Sequence, residues 1–263
     1  MKAITKMVKK YGNSGGVYVP SSWVGGKVKV ELVDEPFSVN NIFNKIVMKH
    51  VVSVILYGSY ARKEAAKDSD IDIILIRDED AEIAIPDELK QKYDIQIKTT
   101  EEARNAMAHD PIFYKLIKDE SIALINHQFL DNLRKVKLKP GGIKVRIGLA
   151  ESSLNIIREI FSLGGDDILY PLIMRIKEML VLECLLYNKK YFTVLLRNDI
   201  LSCGLSQKEF FGVMNIYKAA RNNKKQEKYA ANDAKRLNIS RETIEKLISL
   251  LETKIKYVKQ KAV

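Results

Sequence analysis

Sulfur and imidazole are scarce in this chain, which holds two cysteines and three histidines in 263 residues. Cys184 and Cys203 are too few and too far apart for a disulfide framework or a metal cluster. Cys184 falls in an apolar helical run and is expected to be a buried thiol in a reducing compartment. His50 and His127 have no second ligand nearby in sequence and read as ordinary helix-end and surface residues. Long apolar runs are also missing. No stretch approaches the roughly 20 residues of a membrane span, and no charged-then-apolar leader opens the chain. A soluble, cytoplasmic protein is expected. Abundant Lys, Glu and Ile, with few Gln and His, lean towards a thermophile's composition.

What is present is enough for real cores: 46% of residues are hydrophobic, and the length allows two or three domains. The net charge of +11 is unevenly placed. Residues 1–33 carry six lysines against Glu31, and residues 208–263 carry fourteen Lys/Arg against six acids, so the centre is near neutral. Basic ends suggest a polyanionic partner, nucleic acid foremost, touched away from the centre. A solvated helical face is the simpler reading of the C-terminal charge.

The centre holds the most informative stretch, Val51–Ile76. An apolar run, Val51–Tyr57, ends in Gly58-Ser59; a short helix-capable piece, Tyr60–Lys67, follows; Asp70-Ile71-Asp72 then opens a second apolar run. On a strand, Asp70 and Asp72 project to one side and Ile71 to the other. Two carboxylates this close repel unless a cation neutralises them, and hard oxygen ligands suit Mg²⁺. Gly58 lets backbone approach a phosphate without a Cβ in the way, and Ser59 can donate a hydrogen bond.

Gly58-Ser59-Tyr60-Ala61-Arg62, then Lys63–Ser69, then Asp70-Ile71-Asp72, resembles the signature of the minimal nucleotidyltransferases of the DNA polymerase β-like superfamily. The resemblance covers roughly residues 38–130. It implies a third carboxylate on a later strand, for which Asp94 in Tyr93-Asp94-Ile95-Gln96-Ile97 fits; Glu101, Glu102 or Asp78–Asp80 are the alternatives. By this resemblance Asp70, Asp72 and Asp94 are the catalytic and metal-binding residues, and Gly58, Ser59, Arg62 and Ser69 bind the nucleotide. Arg62 is expected one turn into a helix, against a phosphate. Mg²⁺ and a nucleoside triphosphate, ATP foremost, are the implied cofactor and substrate.

Residues 1–34 read as a small β unit. Ile4–Val8 is a predicted strand, Gly12–Gly16 a turn, Val17–Val19 a second strand closed by Pro20, Ser21–Val24 one helical turn, and Lys27–Leu32 a half-buried strand. So short a segment cannot bury a core alone. The string Lys9-x-Tyr11-Gly12-Asn13-Ser14-Gly15-x-Val17-x-Val19-Pro20-x-x-Trp23 resembles the AbrB-type swapped hairpin of archaeal transposon-associated proteins and antitoxin regulators. That family interleaves two chains, which implies a homodimer, and it binds DNA through basic loops, which points to Lys6, Lys9, Lys10 and Asn13. A purely dimerising role is the alternative.

Val33–Pro36 is read as the first boundary. Ser38 is expected to cap a helix to about Lys49, with Ile42, Ile46 and Val47 on one face. Thr100 caps a helix through Leu116, broken at Asp110-Pro111. Ile122–Ile125 reads as a last edge strand, and Lys139–Gly142 as the second boundary. From Ile143 helical periodicity takes over, with helices expected at 143–162, 167–187, 190–202, 206–221 and 240–261, broken at Gly164-Gly165 and Gly204. This half, 143–263, resembles the HEPN and kanamycin-nucleotidyltransferase C-terminal bundles. HEPN ribonucleases use an Arg followed four to six residues later by His; no His follows Arg221, and Arg104 to His109 lies in the other domain and reads as coincidence.

The expected fold is thus α+β: a small N-terminal β unit, a mixed-sheet core with flanking helices, and an antiparallel helical bundle. The expected activity is Mg²⁺-dependent transfer of a nucleoside monophosphate from an NTP to a hydroxyl of a protein, RNA or small molecule, in a toxin–antitoxin or mobile-element setting. The alternative is a dimeric DNA-binding regulator whose core only senses nucleotide.

Overall fold

The computed structural model describes residues 4, 6, 8–30, 44–65, 69–79, 81–163, 168–225 and 239–262. The chain divides into two compact units, residues 1–38 and 39–263. In the first, β1 (Lys9–Tyr11) and β2 (Ser14–Gly16) pair antiparallel, Lys9 opposite Gly16 and Tyr11 opposite Ser14. The two-residue loop Gly12-Asn13 closes this hairpin, and Gly12 takes φ +56°, which glycine adopts without penalty. A 3₁₀ turn, Ser21–Trp23, matches the single helical turn expected there. The strands expected at 4–8, 17–19 and 27–32 do not form over the described residues, and residues 31–32 lie outside them. The physical reason is the tight loop, which pairs its immediate flanks and leaves the outer apolar residues without a partner strand. No described residue of this unit is buried, as a segment with no core of its own requires.

The second unit is α+β. Its sheet has the order β5-β4-β3-β6, built from β3 (Val51–Tyr57), β4 (Ile71–Arg77), β5 (Tyr93–Thr99) and β6 (Ile122–Ile125). β3 pairs antiparallel with β4 and β6, while β4 and β5 run parallel. β3 and β4 are near-continuous apolar runs because both of their faces are covered. The short helix α1 (Gly58–Ala61) links β3 towards β4, and α2 (Asp87–Lys92), unread in the sequence, precedes β5. α1 is shorter than the expected 60–67 piece: Arg62 and Lys63 form a turn, and residues 66–68 lie outside the described ones.

Helices α3 (Thr100–His109), α4 (Pro111–Glu120) and α5 (His127–Arg134) cover one face, burying Ile55, Ile74 and Ile76 against Met107, Ile117 and Leu133. Thr99, not Thr100, caps α3, in a reciprocal capping box with Glu102. Asp110 ends α3 and caps α4, with Pro111 in the first turn. The helix expected over 38–49 is corrected. Residues 38–43 lie outside the described ones; Asn44–Ile46 is irregular and Met48–His50 is a 3₁₀ turn. Val47 is extended there and exposed while Ile46 is buried, because the chain is already turning into β3.

The rest is a bundle of α6 (Gly141–Ser162), α7 (Leu169–Leu186), α8 (Thr193–Ser202), α9 (Gln207–Lys225) and α10 (Arg241–Lys261). The break expected at Gly164-Gly165 lies outside the described residues. α7 is the hub: Leu172, Ile176, Met179 and Leu180 are buried, as the three- and four-residue spacing predicts, and so is Cys184. Among the described residues no helix is long and apolar enough to cross a membrane.

Candidate active site

The strand registers build the site. Tyr57, the last residue of β3, is opposite Asp72 on β4, and Asp72 is opposite Asp94 on β5. Tyr57, Asp72 and Asp94 therefore form one row across three strands about 5 Å apart, on one face. Asp72 shares its face with Ile74 and Ile76, so the row lies at the end of the face that α3–α5 cover. Ser69 and Asp70 stand immediately before β4, both half-buried.

Gly58 follows Tyr57 with φ +72°. A Cβ added there would come within 3.0 Å of the Asp72 carboxyl carbon and closer still to Oδ2. Conformation and space both demand glycine here. Ser59, half-buried, is next, and its carbonyl accepts from the Glu64 amide at 2.8 Å.

Tyr57 is a member of this site that the sequence reading passed over. Its hydroxyl accepts a hydrogen bond from Gln96 Nε2 at 2.8 Å. Burial, and then the charges of Asp72, Asp94 and Glu120, push the phenol well above its ordinary pKa. It remains protonated and keeps its own hydrogen for a second partner. Its place at the end of an apolar run, directly before Gly58, was a usable signal.

Arg62 is placed differently from expectation. It caps the end of α1, and its three donor nitrogens are taken up by Glu64 (Nε, 2.8 Å), Glu120 and Thr193 (3.5 Å) rather than left for a phosphate. Glu64 also accepts from the Thr193 amide and hydroxyl, and the Arg62 guanidinium lies 5.3 Å from the Tyr191 ring centre. Burial holds the Glu120 carboxyl above its usual range despite this pairing. No local signal could have found Thr193 or Tyr191, which reach the motif from the bundle. Beside this cluster opens a cleft of about 250 Å³ lined by Arg62, Lys63, Lys115, Glu120, Lys190 and Phe192. Lys115 is buried and paired with Asp119 at 2.6 Å, while Lys63 is held at φ +61° at the turn.

Three of the alternatives to Asp94 are employed elsewhere. Glu102 closes the capping box of α3, Asp78 faces His50 at 3.7 Å, and Glu79 accepts from Thr100. Glu101 is exposed on α3, and Asp80 lies outside the described residues. Among the described residues no three carboxylate, imidazole or thiol side chains form a ready-made metal cluster. The structure thus brings together a pair in register, Asp72 and Asp94, with Asp70 just ahead of the strand. All three offer hard oxygen donors of the kind Mg²⁺ takes. In the N-terminal unit Lys6 and Lys9 are exposed, Lys10 lies on β1, and Asn13 sits in the hairpin loop. Arg104 and His109 are exposed on α3, and His127 is exposed at the start of α5.

The family model described as nucleotidyltransferase domain matches residues 39–135, the stretch that carries this row and the sheet beneath it. No curated protein matches the chain. The domain match supports a transferase that moves a nucleoside monophosphate from a nucleoside triphosphate.

Proposed function

We propose that this protein is an Mg²⁺-dependent nucleotidyltransferase that moves the monophosphate of an NTP, ATP foremost, to a hydroxyl of a protein, RNA or small molecule. The observation that carries the reading is Gly58 at positive φ, packed on the Asp72 carboxylate, with Asp94 in register beside it. Asp72 and Asp94 would hold divalent metal, with Asp70 joining from the start of β4. When bound there, the metal supplies charge neutralisation to a triphosphate and activates an attacking hydroxyl. Gly58 keeps the space above the carboxylates open, and Ser59 offers a donor to a phosphate oxygen. Ser69 adds a second hydroxyl just before Asp70. Tyr57, fixed by Gln96, holds a protonated phenol at the end of the row. Arg62 fastens the turn to the bundle. Lys63 and Lys190 give the adjoining cleft a positive rim suited to an anionic substrate.

The domain reading is 38–130 for catalysis, with the bundle of 143–263, HEPN-like in architecture, holding substrate. Residues 1–34 would pair with those of a second copy, since Val8, Tyr18, Val28 and Val30 are exposed apolar residues in a unit without a core. Lys6, Lys9, Lys10 and Asn13 would then face DNA.

The test is calorimetric titration of ATP, GTP, CTP and UTP, with and without Mg²⁺, on the wild type, Asp72→Asn and Asp94→Asn. The expected result is Mg²⁺-dependent binding of at least one triphosphate, weakened at least about tenfold in both variants. If no triphosphate binds, the enzyme reading fails and a DNA-binding role takes its place.

A further inference from the structure

Helix α6 has two apolar faces. One, with Ile147, Ala150, Leu154 and Ile157, is buried in the bundle. The other lies on the opposite side and faces solvent: Val145 (63% exposed), Leu149 (46%), Ile156 (57%), Ile160 (39%) and, just past the helix end, Leu163 (82%). Their spacing is that of a single helical stripe, about 27 Å long at 1.5 Å per residue. Ordinary surface leucines are scattered singly; a stripe running the length of a helix marks an interface.

The stripe is palindromic. About the Ser152–Ser153 bond, Val145 mirrors Ile160 and Leu149 mirrors Ile156. A second copy of the same helix, laid antiparallel across the first on a two-fold axis at Ser152–Ser153, sets Val145 against Ile160 and Leu149 against Ile156, with Leu163 beyond the mirrored stretch. It also sets serine against serine at the centre, where helices must come closest. Gly148 flanks that centre, and a Cβ added to it would meet nothing within 4 Å, so a partner has room.

The charges agree. Glu159 borders the stripe at one end, and Lys144, at the other end and on the same side, lies about 60° further round the helix; both are exposed, and neither forms an ion pair among the described residues. In an antiparallel pair, equivalent flanks face each other, so Lys144 of one copy approaches Glu159 of the next, twice over. The other charged residues of the helix are engaged within the chain, Arg146 with Asp110, Arg158 with Glu252 and Glu151 with Lys259. Mixed charge on the free flank also disfavours an anionic lipid surface, which would call for basic residues throughout.

We infer that α6 forms an antiparallel helix–helix interface with a second copy of this chain, centred on Ser152–Ser153. This interface would join the same two copies as the pairing proposed for residues 1–34, and it does not rest on the catalytic reading. The test uses the full chain, at native length, in two arms. Light scattering should give twice the 30.0 kDa chain mass, and Leu149→Arg with Ile156→Arg should weaken dimerisation by about a hundredfold, as burying two unpaired charges would. Lys144→Glu and Glu159→Lys should each weaken it several-fold, and the double swap should restore it. In the second arm Ser152→Cys, oxidised under mild conditions, should form a covalent dimer. Cys184, buried, and Cys203, half-buried, provide the background control in the parent chain. A monomeric wild type, or a dimer that survives Leu149→Arg/Ile156→Arg without a Ser152→Cys cross-link, overturns the inference; the latter result assigns association to another surface.

Discussion

Gly58 is where backbone conformation and site chemistry meet most closely. Its φ of +72° costs an L-residue about 1–2 kcal/mol, and a Cβ would press on the Asp72 carboxylate. Since Asp72 sits in register with Asp94, the pressure would be relieved by turning the Asp72 carboxylate out of the row. Gly58→Ala should therefore lower the melting temperature by only a few degrees yet abolish Mg²⁺-dependent triphosphate binding. Paired thermal melts and calorimetry on one preparation check this. A variant that binds triphosphate as the wild type does would show that Gly58 is a turn residue and no more. Arg62 teaches the complementary lesson. Its place in Gly58-Ser59-Tyr60-Ala61-Arg62, one turn into the expected helix, implied a phosphate ligand by resemblance, but Glu64, Glu120 and Thr193 claim its donors. Two of those partners are remote in sequence, and local spacing carries no information about them.

At the scale of elements, what was legible depended on whether the determinants were local. β3 and β4 each carry seven residues dominated by Val, Ile, Leu and Tyr, β5 alternates Tyr93, Ile95 and Ile97 with polar residues, and Gly58 and Asp70 mark the end of β3 and the approach to β4, so both the strands and the carboxylates near their starts could be read. The row itself was legible only in part, because register across a parallel pair, Asp72 beside Asp94, is a non-local property. The N-terminal strands were misplaced for the opposite reason: with no buried face, alternation of apolar residues there records no sheet. A junction in the bundle shows how such non-local contacts are made. Glu209, in the first turn of α9, accepts from the Ser206 hydroxyl and amide at 2.7 Å and from Thr243 Oγ1 of α10 at 2.9 Å. The Ser206 bonds, then Thr243, hold its carboxyl down at about 2, below the ordinary glutamate value of 4.5. A depressed carboxylate stabilises the fold above its unfolded pKa and loses that contribution as pH falls through its folded pKa. The melting temperature of Glu209→Gln should therefore lie below that of the wild type at neutral pH. The gap should narrow as pH falls below about 4.5 and close near 2. A gap that stays constant with pH would show that the ionised form of Glu209 has no such role.

At the scale of the molecule, residues 39–263 form one compact unit although their apolar interior is split into a sheet core and a bundle core. Specific polar and steric contacts join the two. Asp110, which caps α4, receives Arg146 of α6 at two oxygens, at 3.2 and 2.5 Å, and Lys139 donates its amide to the Ala108 carbonyl at 2.8 Å. Gly142 brings α6 so close to the end of α3 that a Cβ would sit 3.0 Å from the His109 carbonyl carbon and nearer still to its oxygen. The contacted atoms are backbone, which cannot swing aside as a side chain would. Gly142→Val must therefore push α6 away from α3, and with it Arg146 from Asp110. The expected cost is about 2–3 kcal/mol, in the range of overpacking at a tight contact. The consequence reaches beyond stability, because Tyr191 and Thr193, which contact Arg62 and Glu64 after Gly58, belong to the same bundle as α6. Scanning calorimetry should show a single transition for the wild type. For Gly142→Val it should show a lower, broader one that resolves into separate melting of sheet and bundle. One sharp transition at the wild-type temperature would mean that α6 and α3 are not held at this point, and that the two cores cooperate through the Arg62–Thr193 contacts instead.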